Sequence, residues 1–390
     1  MTAPAPAEAA ERSTYTLADL VGYFLRLGTT GFGGPIALVG YMQRDLVEQR
    51  GWISLRDYKE GLALAQLAPG PLAAQLAIYL GWLDYGVLGA TLVAIAFVLP
   101  SFVMVLALSA FYVAYGGIAW MQGAFYGIGA AVIAIVGRSA YKLTRSTLGA
   151  DRLLWALFLV SAVATAWTES EIIWLFVLCG AVALIARTRG APAVAAAVVP
   201  WPWLVTGLAG PASTETLWRL TAKFAEAGAF VFGSGLAIVP FLHGSVVNQL
   251  HWLTERQFLD AVAVAMITPG PVVITVAFIG YLVAGPLGAV ASALGVFLPC
   301  YLLVVIPARY FRRSVHDPRV KTFVEGVTAA AAGAIAGAAF VLGRRAIVDV
   351  PTLAICLATL AATTRLKWLS EPIVIVIAGV VGIAATTLVR

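Results

Sequence analysis

The sequence predicts an all-α polytopic membrane protein made of two homologous halves, and three observations support this fold class. Hydrophobic residues make up 61% of the 390-residue chain and charged residues only 11%, against about half and a quarter in soluble proteins. The apolar residues fall into long stretches, and the same motifs occur twice at a constant spacing. With a mean hydropathy of +0.92, the chain has too few polar residues to cover a soluble protein of this size.

Charge and cysteine content exclude other classes of protein. The net charge is +6, but the basic residues form short clusters between apolar stretches, as in membrane proteins, and do not indicate a nucleic-acid partner. Cys179, Cys300 and Cys356 lie inside apolar stretches at spacings that indicate neither disulfides nor a metal site. We therefore expect no cofactor. Residues 1–13 lack the features of a cleaved signal and are predicted to be a flexible cytoplasmic tail.

Internal repetition is the strongest feature of the sequence. Between residues 24–79 and 224–279, 16 of 56 positions are identical without a gap. The identities include Trp52 with Trp252 and two copies of Pro-Gly-Pro, which apolar composition alone does not produce. The predicted domains are the tail 1–13, a first repeat at 14–189, a Pro- and Ala-rich connector at 190–214 and a second repeat at 215–390.

Each half is predicted to contain two interrupted segments followed by three or four long apolar helices. The first segment is interrupted by glycine and the second by Pro-Gly-Pro, so that each piece is too short to cross a bilayer alone. Ser54 and Thr254 are the predicted N-caps of the pieces that they begin. The short pieces are 16–31, 35–49, 54–67 and 72–82, then 216–231, 236–250, 254–267 and 272–284. The long stretches are 86–112, 119–137, 153–168 and 171–186, then 286–308, 322–343, 350–364 and 371–389.

The distribution of Lys and Arg predicts opposite orientations of the two halves in the membrane. In the first half the basic loop is 138–152, whereas in the second half the basic loop comes one helix earlier, at 309–321. This bias is typical of an inverted-topology repeat. The pair Arg344-Arg345 departs from the bias, and the number of complete spans stays open.

The two Pro-Gly-Pro motifs form the predicted anion-binding site. Proline ends the preceding helix, so the helices beginning at Leu72 and Val272 present free N–H groups and the positive ends of their dipoles. Two such ends near the membrane centre would bind an anion. The alternative is that Pro-Gly-Pro only kinks or ends the helices. The predicted contact residues are Pro69, Gly70, Pro71, Leu72 and Gln75 in the first copy and Pro269, Gly270, Pro271, Val272 and Thr275 in the second.

The Gly-rich turns upstream of these motifs and one basic residue are further candidates for anion binding. The turns contain Gly33, Gly34, Gly233 and Ser234. Their backbone amides could form an anion-binding nest, or the small residues could allow close helix packing. Arg26 lies inside an apolar segment, where ionisable residues often have a function, and is a candidate countercharge for the anion. The alternatives are a structural ion pair or a side chain that reaches the membrane interface.

Three acids are candidates for proton coupling. Glu226 occupies the repeat position of Arg26, and Glu60 and Asp260 share a repeat position on the helices that lead into Pro-Gly-Pro. Structural alternatives exist for each. Lys223 lies one turn from Glu226 and could pair with it, and the charged neighbours of Glu60 favour a solvated turn at the membrane interface.

Four motifs recur in paired form in the two halves: Phe32-Gly33-Gly34-Pro35, Ala65-Gln66-Leu67-Ala68-Pro69-Gly70-Pro71, Phe232-Gly233-Ser234-Gly235 and Ile267-Thr268-Pro269-Gly270-Pro271. These motifs resemble those of the chromate transporter family in its long, two-domain form. The resemblance extends over nearly the whole chain and implies a multi-pass secondary transporter of the bacterial inner membrane that exports chromate, driven by protons, with sulfate as a structural analogue. The chain departs from many members at Leu38 and Leu72, where those members carry His and Asn.

Other functions are compatible with the same sequence. An uptake transporter for sulfate or another oxyanion, or a passive anion channel, would need a similar backbone site. A membrane enzyme acting on lipid-linked phosphate would need a cluster of acid, base or metal-binding groups, and the apolar segments hold no such cluster. The transported ion, its direction and the oligomeric state, a homodimer included, stay open.

Overall fold

The regular structure of the protein is helical. The computed structural model describes residues 15–32, 34–115, 119–168, 173–187, 213–230, 238–314, 318–366 and 371–388. These residues contain no β-strand, so the all-α prediction is confirmed for them. The predicted tail 1–13 and nearly all of the connector 190–214 lie outside the described residues.

The helices of the two halves correspond in order. Those of the first half are α1 (Leu17–Thr30), α2 (Gly34–Met42), α3 (Leu55–Leu67), α4 (Leu72–Tyr115), α5 (Ala119–Leu148), α6 (Arg152–Thr168) and α7 (Ile173–Arg187). Those of the second half are α8 (Thr214–Phe230), α9 (Ile238–His243), α10 (Glu255–Ile267), α11 (Thr275–Ser314), α12 (Pro318–Ala346), α13 (Val350–Arg365) and α14 (Glu371–Leu388). Within the described ranges, four helical segments are long and apolar enough to cross a membrane: Leu72–Tyr115, Trp120–Arg145, Val272–Ala308 and Thr322–Ala346.

Side-chain caps fix the starts of the short helices that precede the two Pro-Gly-Pro motifs. The Ser54 hydroxyl accepts a hydrogen bond from the Asp57 amide at the start of α3, as predicted. Thr254 does the same for the Gln257 amide at the start of α10, and the Gln257 side chain bonds back to the Thr254 amide. These caps set the register in which α3 and α10 run towards Pro-Gly-Pro.

The long helices α4 and α11 each contain a glycine turn. Gly86 interrupts α4 with φ 59° and ψ −147°, and Gly285 interrupts α11 with φ 63°. Glycine adopts such positive φ values without steric cost. A Cβ added at Gly81 would lie 2.6 Å from the carbonyl oxygen of Gly89, so the segments before and after the turn of α4 lie backbone to backbone. The segment of α4 that follows Pro-Gly-Pro therefore turns back sharply at Gly86.

The two ends of the second segment of α4 contact different halves of the chain. Near its start, the Tyr85 hydroxyl donates to the backbone oxygen of Tyr15. The Tyr15 ring stacks on Trp52, just before α3, with 5.2 Å between ring centroids. Near its end, the Tyr112 hydroxyl donates to Oδ2 of Asp260 in α10 at 2.7 Å. The helices α3 and α10, which lead into the two Pro-Gly-Pro motifs, thus start from opposite ends of one long helix.

The C-terminal helices of each half pack on the other half. Helix α12 contacts α6 and α7, while α5 contacts α13 and α14. The central pairs α4–α11 and α5–α12 also contact each other. Small residues allow this close approach, as is common in membrane helix bundles. A Cβ at Gly333 in α12 would lie 2.2 Å from the carbonyl oxygen of Phe158 in α6.

Two glycines of α5 give a matched test of this packing. A Cβ at Gly127 would lie 2.0 Å from the carbonyl oxygen of Ala378 in α14, whereas a Cβ at Gly129 would meet no atom within 4 Å. We expect Gly127→Ala to destabilise the protein by about 1–3 kcal/mol through overpacking. Gly129→Ala should be neutral or stabilising by up to about 1 kcal/mol. Thermal unfolding in detergent measures both, and equal melting temperatures would contradict the close contact of α5 with α14.

Candidate anion-binding site

The first Pro-Gly-Pro motif is a buried break between α3 and α4. Gly70 has φ 136°, which side-chain-bearing residues rarely adopt, and α4 begins two residues later at Leu72. The first-turn amides of α4 have no acceptor within the helix. Gln75, which is fully buried, donates from Nε2 to the backbone oxygen of Pro69. The Gln75 carboxamide therefore holds the turn from inside the protein.

The second Pro-Gly-Pro motif has a similar glycine turn but a different start to its helix. Gly270 has φ 96°. Val272–Ile274 form a 3₁₀ turn, so α11 begins at Thr275, three residues later than predicted. The Thr275 hydroxyl donates to the carbonyl oxygen of Val272 at 2.7 Å. The Thr275 hydroxyl, which was predicted to contact the anion, therefore forms its hydrogen bond within its own helical turn.

The second break is held by residues of the first half. Ser101 in α4 donates from Oγ to the backbone oxygen of Pro269 at 2.7 Å. The Gly270 amide donates to the backbone oxygen of Gly31, at the C-terminal end of α1, at 2.8 Å. The backbone of the second motif is therefore tied to α1 and α4, and it is buried throughout.

The first break is contacted in turn by the second half. Cys300 in α11 is the repeat counterpart of Ser101, and a Cβ at Gly70 would lie 2.9 Å from its Sγ atom. The Cys300 thiol lies 3.5 Å from the backbone oxygen of Gly228, as the Ser101 hydroxyl lies 3.3 Å from that of Gly28. Each break thus lies against the long helix of the other half. Helices α4 and α11 pack together, and both breaks lie largely inside the protein, with Pro69 partly exposed.

A serine pair in α4 tests the contact with the second break. Ser101 and Ser109 are both fully buried, but Ser109 donates only to Val105 within its own helix. Ser101→Ala leaves the Pro269 carbonyl without this donor, and we expect a loss of about 1–2 kcal/mol in unfolding free energy together with slower transport. Ser109→Ala should have a smaller effect on stability and none on transport. Identical transport rates in the two variants would contradict a role for Ser101 at the break.

The Gly-rich turns are only partly described. Gly33, Gly233 and Ser234 lie outside the described residues. Gly34 begins α2 with φ 74°. The residue of this region that contacts a break is Gly31, through the bond to Gly270.

Arg26 lies on α1 and Glu226 on α8. Arg26 lies on the exposed face of α1, whose opposite face packs on α4. The Glu226 carboxylate lies 3.1 Å from the Lys223 ammonium on α8, which agrees with the structural ion pair. In the described part of the chain, neither residue bonds to a Pro-Gly-Pro motif.

Asp260 and Glu60 share a repeat position but have different surroundings. Asp260 is 4% exposed and accepts the hydrogen bond from Tyr112 of the other half. Glu60 is half-buried and pairs at 3.0 Å with the exposed Arg56, one turn earlier. The burial of Asp260 and its contact with the other half could not be read from the repeat, because the two positions look alike in sequence.

Asp260 also lines a cavity between α4, α5 and α10. Its volume is ≈ 230 Å³. Arg256 donates to the backbone oxygen of Gln122 at 3.2 Å at the rim of this space. The residues described by the structure form no cluster of three or more His, Cys, Asp or Glu side chains suited to a metal ion. The cavity is lined by Tyr112, Gln122, Phe125, Thr254, Arg256, Gln257 and Asp260.

Sequence reasoning missed the residues that hold the breaks from the other half. Ser101 and Cys300 follow the matched dipeptides Leu99-Pro100 and Leu298-Pro299, so the repeat alignment pointed to their positions. Their side chains differ, however, so these two positions do not count as identities in the alignment of the repeats. The contacts of Gly31 and Ser101 with the second break depend on the packing of the two halves, which no local pattern encodes.

Comparison with known proteins shows the family. The sequence pattern of the Chromate transporter family matches the chain twice, at residues 18–184 and 218–383. The chain belongs to the chromate transporter family. This confirms the resemblance seen in the paired motifs, and with the long apolar helices it makes the chain a multi-pass membrane protein.

Three relatives match this family member over nearly their full length. The chromate transport protein of Cupriavidus metallidurans is 57% identical over 382 residues, 97% of this chain and 95% of the relative. The probable chromate transport protein of Synechococcus elongatus is 55% identical, with 95% of each chain covered. The chromate transport protein of Pseudomonas aeruginosa is 31% identical over 97% of this chain and 96% of its own. No solved structure matches the chain.

Proposed function

We propose that this member of the family is a secondary active transporter that moves chromate across the bacterial inner membrane. Relatives named as chromate transport proteins share more than half of its residues over nearly the whole chain. The structural observation that carries the proposal is the pair of helix breaks, each packed against the long helix of the other half. Broken backbone at membrane depth is tolerated where it is buried in protein or lines a path.

The anion is bound between the two breaks. The helix starts at Leu72 and Val272 supply backbone N–H groups, and each helix end carries about half a positive charge. The first-turn amides of α4 are the better donors, because the 3₁₀ turn engages the Ile274 amide with the Pro271 carbonyl oxygen. The Thr275 hydroxyl can donate to the anion only after it releases its bond to Val272.

The two repeats, 14–189 and 215–390, are related by inverted topology in this proposal. It is supported by α3 and α10, which start from opposite ends of the second segment of α4. In such an arrangement each helix pair enters the membrane from its own side and meets the other near the centre. Movement of one set of helices against the other then exposes the anion alternately to the two sides.

Asp260 is the preferred acid for proton coupling. It is buried, lines a cavity and bonds to Tyr112 of the other half, so a change in its protonation alters a contact between the halves. Glu60 and Glu226 are each paired with a basic residue of their own helix, which favours a structural role. Arg26 keeps a role as an attractor of the anion in this proposal, which is supported by its exposed position on the helix that ends at the second break.

Everted inner-membrane vesicles test this function. In the export direction, vesicles that contain the protein should accumulate labelled chromate when respiration is energised, and an uncoupler should stop the accumulation. Chromate uptake at the same rate with and without the uncoupler would favour a passive anion channel. Accumulation only in right-side-out vesicles, with sulfate as the better substrate, would favour oxyanion uptake.

A further inference from the structure

The Gln75 carboxamide leaves a buried acceptor unused at the first break. Its Nε2 group donates to the backbone oxygen of Pro69, and the side chain is fully buried. In the described part of the protein, Oε1 has no hydrogen-bond partner. Rotation of the amide would place Oε1 against the Pro69 oxygen, two acceptors face to face, so the bond to Pro69 fixes the orientation. Since an unpaired buried acceptor is costly, this position calls for a donor from a ligand.

In the part of the chain that the structure describes, the groups bonded to the two breaks or nearest to their glycines carry no formal charge. The groups that lie against them are backbone oxygens and neutral side chains, contributed by Gly28, Gly31, Gln75, Ser101 and Cys300. Two helix N-termini together supply about one positive charge. That balances a single negative charge, whereas a dianion would keep one charge buried without a counterion.

We infer that the site binds the oxyanion in its singly protonated form, hydrogen chromate for this family member. Three oxygens of that ion accept from the backbone amides, and its hydroxyl donates to Oε1 of Gln75. The inference rests on the proposed function and adds to it the protonation state of the substrate. The hydrogen bond to the hydroxyl forms at the first break, where Gln75 lies, because at the second break the Thr275 hydroxyl is already bonded to Val272.

This arrangement would separate chromate from sulfate, which size alone does poorly. Hydrogen chromate loses its proton near neutral pH, so part of the chromate in a cell carries a hydroxyl. Hydrogen sulfate and hydrogen selenate lose their protons in strong acid, so sulfate and selenate are dianions at all pH values near neutrality. A site with one acceptor and about one positive charge therefore favours chromate by both hydrogen bonding and charge.

Three tetrahedral anions test the inference on the purified protein in proteoliposomes. Unlabelled chromate, selenate and perrhenate compete with labelled chromate at a fixed pH near neutrality. Perrhenate has one negative charge but no hydroxyl, so it separates charge from hydrogen bonding. We expect chromate to compete at least about 10-fold better than perrhenate, because a factor of 10 corresponds to one good hydrogen bond to a charged group. Selenate should compete least. Selenate that competes as well as chromate would overturn the inference.

The variant Gln75→Leu supplies the second arm, with Gln66→Leu as its matched control. Gln66 lies exposed on α3, so the same chemical change there should leave transport unaltered. Gln75→Leu should reduce the preference for chromate over perrhenate to about 3-fold or less. An unchanged preference would overturn the role of Gln75.

If Gln75→Leu does not fold, Gln75→Met keeps a flexible side chain of similar length, and the competition in unaltered protein decides independently. Failure of the unaltered protein to move any of the anions would instead refute the proposed function, and the inference with it.

Discussion

Gly270→Ala is expected to abolish chromate transport. A Cβ at this position would lie 1.9 Å from the Ser101 hydroxyl oxygen, and the backbone has φ 96°. The unfavourable φ costs about 1–2 kcal/mol and overpacking about 1–3 kcal/mol more. The strain is relieved by moving the second break away from α4, and a shift of about 1 Å at a binding site lowers rates about 100-fold. Chromate accumulation in everted vesicles measures the loss, with protein amount checked by gel filtration in detergent.

Two comparisons separate this collision from general damage. Gly149 has φ 49° in a turn where a Cβ would meet nothing within 4 Å, so Gly149→Ala introduces backbone strain alone and should keep transport. Ser101→Ala added to Gly270→Ala removes the colliding oxygen and should restore part of the activity, because the next atom, the Ser101 Cβ, lies at 3.2 Å. Transport at the unaltered rate in Gly270→Ala would show that the second break does not have this tight environment.

Asp260→Asn is expected to remove the dependence of transport on the proton gradient. Asparagine keeps an oxygen that accepts from Tyr112, so the contact between α4 and α10 persists, but the side chain no longer binds and releases a proton. We expect accumulation of chromate driven by a pH gradient to fall at least about 100-fold. Exchange of labelled for unlabelled chromate, which needs no net proton movement, should continue.

The repeat provides the control for this substitution. Glu60→Gln makes the same change at the corresponding position, where the acid is half-buried and paired with Arg56, and it should alter accumulation less than about 3-fold. Tyr112→Phe removes the hydrogen bond and leaves the acid, so it should shift the pH dependence of accumulation without abolishing it. Gradient-driven accumulation that survives in Asp260→Asn would assign coupling to another group.

The sequence was sufficient to predict the helices and the caps that begin α3 and α10, because these depend on local chemistry. Apolar runs, the caps Ser54 and Thr254 and the prolines of the two motifs act within a few residues of their own positions. The 3₁₀ turn at Val272–Ile274 was not predicted, because the second motif has the same Pro-Gly-Pro sequence as the first and was expected to begin its helix in the same way. Its first turn differs in β-branched residues, which favour the α-helix less.

The partners of the breaks could not be predicted, since they come from the other half of the chain. Ser101 and Gly31 reach the second motif across about 170 and 240 residues of sequence, and only the packing of α1 and α4 brings them there. Charges inside apolar segments were a weaker guide. Arg26 is exposed and Glu226 is paired with Lys223. Asp260 is buried, although the charged neighbours of its counterpart Glu60 favoured a solvated turn.

A crystal structure of the protein with chromate bound, with chromium located by its anomalous scattering, tests the proposed anion site most directly. The expected result is one chromium peak between the two breaks, within hydrogen-bonding reach of the first-turn amides of α4 and of the Gln75 carboxamide. A peak in the cavity beside Asp260 or next to Arg26, with no chromium at Gly70 and Gly270, would contradict the placement of the anion between the helix ends.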